Sequence, residues 1–366
     1  MDRPKEFLER LTQGPAIQVA ADDSAQEHNN RGARLHLRGD LAAARNEYEA
    51  AIARDPANAA ALNNLGFLLA QEGQLEDAVR HYERALEIDP ERSMALTNLA
   101  NARAAQGDIG GAFEALTQAT AADEANVLAW DNLGTLSLAA GRLAEAEHAW
   151  RCALGAAPGE ARFHVRLGVV VAAQRRFDEA LDLFQQAIRL DRTSADAWAQ
   201  LGLVLFARHD LGSATDALRS ALGLTPDDIG VRHHLSMVLL ARGQQQEAEE
   251  ELRKILALDA NNVAALLDLG VHALSGGRFE DALARFERVL AVEATNARAR
   301  YYRGQALSCL GRDDEAMAVF EVLAAEEPSK YAVWAQQHLA QRPAGDNRAP
   351  PGPEHAEAAT GSAPAA

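Results

Sequence analysis

Four asparagines recur at a constant interval of 34 residues: Asn30, Asn64, Asn98 and Asn132. A primary amide carries two N–H donors and an acceptor oxygen, so one Asn can pair with both the C=O and the N–H of a peptide unit. A column of such groups would hold an extended peptide by its backbone, largely without regard to its sequence. Asn29, Asn63 and Asn101 thicken the same region, joined by Thr97, Asp131 and Thr135. The competing reading is that Asn before Leu-Gly caps local hydrogen bonds. Beyond the column the same register holds Arg166, Gln200, His234, Asp268 and Tyr302. Neighbouring positions there turn apolar: Val165, Val169, Leu203, Met237, Leu267 and Val271. On an open face these would take an amphipathic helix or a hydrophobic segment, unless an adjacent helix covers them. A single ligand lying along both stretches would meet polar contacts first and apolar anchors after.

Other chemistries find less support. His233 and His234 are adjacent, so on a helix their side chains diverge by about 100° and cannot chelate together from one face. No third ligand is suitably spaced, so no metal is expected. Cys152 and Cys309 are far apart and form no CxxC; a disulfide framework is excluded on count, and two buried thiols are expected. Gly107-Asp-Ile-Gly-Gly111 lacks the Lys-Ser/Thr of a phosphate loop. No Gly-x-Ser-x-Gly, dinucleotide fingerprint or His-Glu-x-x-His occurs, so neither catalysis nor a cofactor is expected. Acidic side chains such as Glu76, Asp77, Glu145, Glu247 and Glu249–Glu251 read as a solvated outer face.

The charge balance narrows the partners. Asp and Glu number 53 against 36 Lys and Arg, a formal charge of −17, which repels nucleic-acid backbones. No run approaches the roughly 20 apolar residues that span a bilayer, so no membrane insertion is expected. The first residues are charged and lack the apolar core of a secretory signal, which makes the cytoplasm the expected location. Lys5, Lys254 and Lys330 are the only lysines, an imbalance of the kind that Arg-rich genomic codon usage produces.

The elements that must position these residues repeat with the same period. Ala-Leu-Asn-Asn-Leu-Gly (61–66) returns as Ala-Leu-Thr-Asn-Leu-Ala (95–100) and Ala-Trp-Asp-Asn-Leu-Gly (129–134). The period predicts nine units over 25–330, starting at residues 25, 59, 93, 127, 161, 195, 229, 263 and 297. Each has a small eighth residue (Gly32, Gly66, Ala100, Gly134 and onward), Ala twelve places later and a large residue four beyond that, such as Tyr48, Tyr82, Trp150, Phe184 or Phe286. Apolar spacing predicts two helices per unit, parted by Gly39, Gly73, Gly107, Gly141, Gly243, Gly277 or Gly311. Pro56, Pro90, Pro158, Pro226 and Pro328 are expected to stop the second helix. Residues 1–24 read as a short amphipathic leader (Phe7, Leu8, Leu11) and linker, 331–342 as a capping helix with Gln336, Gln337 and Gln341 outward, and 343–366 as a disordered tail.

This pattern resembles the tetratricopeptide repeat family, over roughly five-sixths of the chain. The resemblance implies an all-α solenoid, a right-handed superhelix of antiparallel helix pairs with a groove lined by the first helices. It also implies that positions two, five, six and nine face a ligand. The Asn column is similar to the asparagine ladder in the repeat region of O-linked N-acetylglucosamine transferases, but the chain has no room for their catalytic domain. The family's carboxylate clamp is absent, since no unit has Lys at position five. The expected role is a non-catalytic adaptor or scaffold that holds a protein or peptide partner. The alternatives are a substrate-recruiting subunit of a separate enzyme such as a glycosyltransferase, or a self-assembling homo-oligomeric scaffold.

Overall fold

The eighth residue of each repeat and the large residue sixteen places later decide how closely two helices meet. In the computed structural model, which describes residues 24–325 and 329–340, a Cβ added at Gly134 would lie 2.6 Å from the Trp150 ring. The corresponding approaches are 2.8 Å for Gly66 to Tyr82 and 2.5 Å for Gly270 to Phe286. The intervening alanines, Ala78, Ala146 and Ala282, are fully buried. A larger side chain at either point would wedge the two helices apart.

The described residues form nineteen α-helices and no strand. They fall into two compact units, divided between Pro158 and Gly159. The first unit contains α1 (Ala25–Leu37), α2 (Leu41–Arg54), α3 (Ala59–Gln71), α4 (Leu75–Ile88), α5 (Ser93–Ala105), α6 (Ile109–Ala122), α7 (Val127–Ala139) and α8 (Leu143–Ala156). Odd-numbered helices touch one another and form one layer, while each even-numbered helix packs behind them. Because three-residue turns reverse the chain, α1, α3, α5 and α7 all run in the same direction. The second unit repeats this layering through α9 (Ala161–Ala173), α10 (Phe177–Leu190), α11 (Ala195–Ala207), α12 (Leu211–Leu224), α13 (Ile229–Ala241), α14 (Gln245–Leu258), α15 (Val263–Ser275), α16 (Phe279–Val292), α17 (Ala297–Cys309) and α18 (Asp313–Ala325).

A closing helix, α19 (Lys330–Ala340), packs on α18 and places Tyr331 and Trp334 against Tyr301. It begins one residue before the expected Tyr331. Gln336 and Gln337 are exposed, and Gln336 Nε2 donates to the Ala324 carbonyl. The leader before Ser24, Pro328, Gln341, Arg342 and the tail lie outside the described residues.

Two local rules differ from expectation. The second helices end at the same repeat position whether or not proline follows. Asp55, Asp123, Asp191 and Asp259 each accept a bond from the backbone N–H two residues on, at 2.8–3.1 Å. This side-chain turn halts the helix, and of the four only Asp55 precedes a proline. The turn between paired helices needs a left-handed residue. Seven glycines supply it, but Arg175 (φ 64°) and His209 (φ 62°) do so against the penalty of a Cβ.

Replacing His209 by Gly should therefore raise the urea midpoint. The relieved left-handed strain of about 1–2 kcal/mol exceeds the flexibility that glycine adds to the unfolded chain. Gly134→Ala should lower it, by about 1–3 kcal/mol, through overpacking against Trp150. A lower midpoint for His209→Gly would contradict the strain assignment.

Candidate partner-binding face

In the first unit the rotation of the odd-numbered helices decides which side chains reach solvent. Position five turns inward: Asn29, Asn63, Thr97 and Asp131 are all buried. Thr97 donates to the Ser93 carbonyl, and Asp131 accepts a bond from Trp150 Nε1. These two residues belong to the interior and not to the face on which the sequence placed them. Positions two, six, nine and thirteen, spaced as one helical line, point outward. Of their sixteen residues in α1, α3, α5 and α7, only Asn98 is buried.

The amides do not stand as a column of free groups. Asn64 Nδ2 donates to Asn29 Oδ1 (2.9 Å), Asn63 Nδ2 to Asn64 Oδ1 (3.3 Å) and Asn98 Nδ2 to Asn63 Oδ1 (3.0 Å). This chain of bonds joins α1, α3 and α5, with each sixth-position amide reaching the fifth-position amide of the preceding odd helix. Asn132 lacks such a partner, because Thr97 stands there; it donates to Asn101 Oδ1 at 2.8 Å. Asn30 accepts from Gln26. Asn30 and Asn101 are exposed, whereas Asn64 and Asn132 are half-buried. The doubled Asn29-Asn30 and Asn63-Asn64 were the sequence signal for this lateral pairing.

The outward line carries residues that sequence reasoning passed over. Leu37 is 71% exposed, Met94 49%, and Phe67 and Leu128 43% each. None of the sixteen positions is charged, in a chain that is 24% charged. The surface is an apolar and amide stripe suited to an uncharged segment. On the other side of the same layer, an open cavity of about 730 Å³ is lined by Phe113, Leu133, Arg142 and His148. The Arg142 guanidinium stacks over Phe113 there, at 4.4 Å.

The second unit differs. Its outward line holds Arg162, Arg166, Asp196, Asp268 and Arg298. Of the expected apolar anchors, Met237 is exposed, Val165, Val169, Leu203 and Val271 are half-buried, and Leu267 lies in the core. Leu267 occupies position five, which turns inward here as well. His233 Nε2 lies 2.9 Å from Asp268 Oδ2, and Arg298 donates to Asp268 Oδ1 at 3.3 Å. Burial and the neighbouring His233 hold His234 below the usual imidazole value, against Asp228.

Glu249 does not belong to a solvated face. It is buried, and its carboxylate meets Arg253, Arg278 and, at 2.8 Å, His272 Nε2. Burial alone would raise its pKa, but the bond from Arg278 and the charges of Arg253, Arg278 and His272 together hold it below the usual carboxylate range. Cys152 and Cys309 are half-buried instead of fully buried, and burial pushes both thiols up. No group of three His, Cys, Asp or Glu side chains among the described residues could hold a metal. No helix among them is long and apolar enough to cross a membrane.

Comparison with known proteins gives the repeats a name. Residues 59–92, 97–161, 132–195 and 273–337 match tetratricopeptide repeat families, and 32–73 match a further TPR repeat family. Residues 192–300 match the cytochrome c-type biogenesis protein H TPR domain. No curated protein matches the chain. Among solved structures, the anaphase-promoting hetero-tetramer Cut9–Hcn1 (APC/C) is similar at 21% identity and TM-score 0.50. That match covers 71% of this chain and 50% of the other. PilF of Pseudomonas aeruginosa is 18% identical with TM-score 0.49, covering 55% and 92%. YrrB, described as a TPR protein with an unusual peptide-binding site, is 20% identical with TM-score 0.44, covering 50% and 95%. At these identities the likeness concerns the fold alone.

The Glu249 cluster makes a pH prediction. A carboxylate whose pKa is depressed by folding stabilises the native state above its unfolded value near 4.5 and loses that contribution as pH falls through the folded value. Glu249→Gln should cost roughly 1–3 kcal/mol at pH 7 in urea unfolding. The gap to the parent chain should close as pH drops below about 4. A gap that stays constant with pH would show that the charge contributes nothing.

Proposed function

From the premise that the chain is built of tetratricopeptide repeats, we propose that it works as a non-catalytic adaptor. Its first unit would hold a protein or peptide segment against the stripe formed by α1, α3, α5 and α7. The observation that carries this reading is the stripe itself: Leu37, Phe67, Met94 and Leu128 exposed together on a line without a charged residue. Scattered exposed apolar residues are ordinary, but an aligned set rimmed by amides favours a docked partner. Asn30, Asn101 and the open sides of Asn64 and Asn132 would supply polar contacts to the partner backbone. Asn63 and Asn98 would act beneath them by fixing the spacing of the helices.

The ligand class follows from the same chemistry. An acidic or basic segment would bring unpaired charges onto a surface with nothing to neutralise them. An uncharged segment with spaced apolar side chains would bury Phe67 and Leu128 at no such cost. In the second unit the match of residues 192–300 to a cytochrome c-type biogenesis domain favours a role in assembling other proteins. Recruitment of substrates to a glycosyltransferase remains the alternative. It has less support, because the amides that suggested it are bonded to one another.

An array of short peptides, graded in charge and apolar content, tests the proposal on the full chain. Uncharged peptides with paired apolar residues should be retained best. The double variant Phe67→Asp/Leu128→Asp should weaken retention by about tenfold or more, the range for losing two buried apolar anchors. Its circular dichroism should not change, since both residues are on the surface. Retention that survives this variant, or that follows Met237→Asp instead, would refute the assignment.

A further inference from the structure

The stripe is open at the N-terminal end of α1, where residues 1–23 enter. The stripe's second-position residues, Gln26, Ala60, Met94 and Leu128, form a row at the N-terminal ends of four helices running the same way. A chain leaving Ser24 starts at the head of that row. Residues 11–21, Leu-Thr-Gln-Gly-Pro-Ala-Ile-Gln-Val-Ala-Ala, contain no charge, although Arg10 precedes them and Asp22 and Asp23 follow. Ile17 and Val19 alternate with polar or small neighbours, the period of an extended strand, and Gly14-Pro15 interrupts any helix. An uncharged, extended, apolar-anchored segment is the ligand class that the stripe favours, and the chain carries one beside it.

We propose that residues 11–21 occupy the stripe of their own first unit and compete with an incoming partner. This rests on reading the stripe as a binding face. The reach is sufficient: seven extended residues from Ser24 to Ile17 span roughly 23 Å. Neighbouring helix axes lie about 10 Å apart, so Ile17 arrives at α5 beside Met94. Leu11, six residues further, reaches α7 and Leu128. The other segment outside the described residues cannot take this role. Residues 341–366 contain no Val, Ile, Leu, Met, Phe, Trp or Tyr and so offer no anchor. The second unit is a poor site for the segment, because its outward line is charged.

Photocrosslinking on the full chain tests this directly, with benzoylphenylalanine in place of Ile17 and the products mapped by mass spectrometry. The expected product is an intrachain link to the peptide holding Met94 or Leu128, with a yield that persists on dilution. Met94→Asp/Leu128→Asp should abolish it while leaving the circular dichroism unchanged. Links mapped only elsewhere, or links between chains that fade on dilution, would overturn the proposal; the latter would assign the stripe to a second copy. A second readout separates this idea from the adaptor reading. A tethered competitor acts at an effective concentration near millimolar, so Ile17→Asp/Val19→Asp should raise the full chain's affinity for the retained array peptides about tenfold or more. Unchanged affinity, with binding still dependent on Phe67 and Leu128, would sink the leader proposal and leave the adaptor reading intact. Failure of every array peptide to bind even the Ile17→Asp/Val19→Asp chain would sink the adaptor reading instead.

Discussion

The close approach between a small eighth residue and the bulky side chain sixteen places later governs the molecule. At Gly134 and Trp150, Gly168 and Phe184, or Gly304 and Phe320, the space for a Cβ is already filled by a ring. Such a contact fixes the separation of two helices and also their rotation, because the glycine must face the ring. With the eighth position turned toward the paired helix, position five faces inward and positions two, six, nine and thirteen face out. Which residues can meet a partner is therefore decided by a packing contact on the other side of the same helix.

That constraint explains the two polar layers. Fifth-position side chains sit where water is excluded, so each polar one needs a partner from the neighbouring helix. The first unit answers with amides, Asn29, Asn64, Asn63 and Asn98, and the second with the ionic set His233, Asp268 and Arg298. The bonding register is the same in both, running from a sixth-position residue to the fifth position of the preceding odd helix. Amides leave the surface above them neutral, whereas the ionic version comes with a charged surface. Two units of one architecture thereby present faces of different chemistry.

The period, the helix pairs and the turn glycines could be read from the residues, because each depends on local spacing and on side-chain size. The direction in which a given Asn points could not. Positions five and six are 100° apart on a helix, and the choice between them rests on contacts made by Gly66 or Gly134 with another helix. Thr97 and Asp131 were placed on the outer face for that reason, and Phe67, Met94 and Leu128 were passed over. Glu249 escaped notice because its partners, His272 and Arg278, come from the following repeat. Proline as the stop signal was an over-reading: it accompanies a turn that the preceding Asp side chain already makes.

The account stands on helix rotation, and a double-mutant cycle on Asn63 and Asn98 examines it most directly. If both amides point inward and share a hydrogen bond, the single replacements by Ala and the double replacement should be non-additive in urea unfolding, with a coupling of about 0.5–1.5 kcal/mol. Strict additivity, with each single variant close to the parent in stability, would mean that the amides point to solvent, and the rotation assigned to the first unit would be wrong.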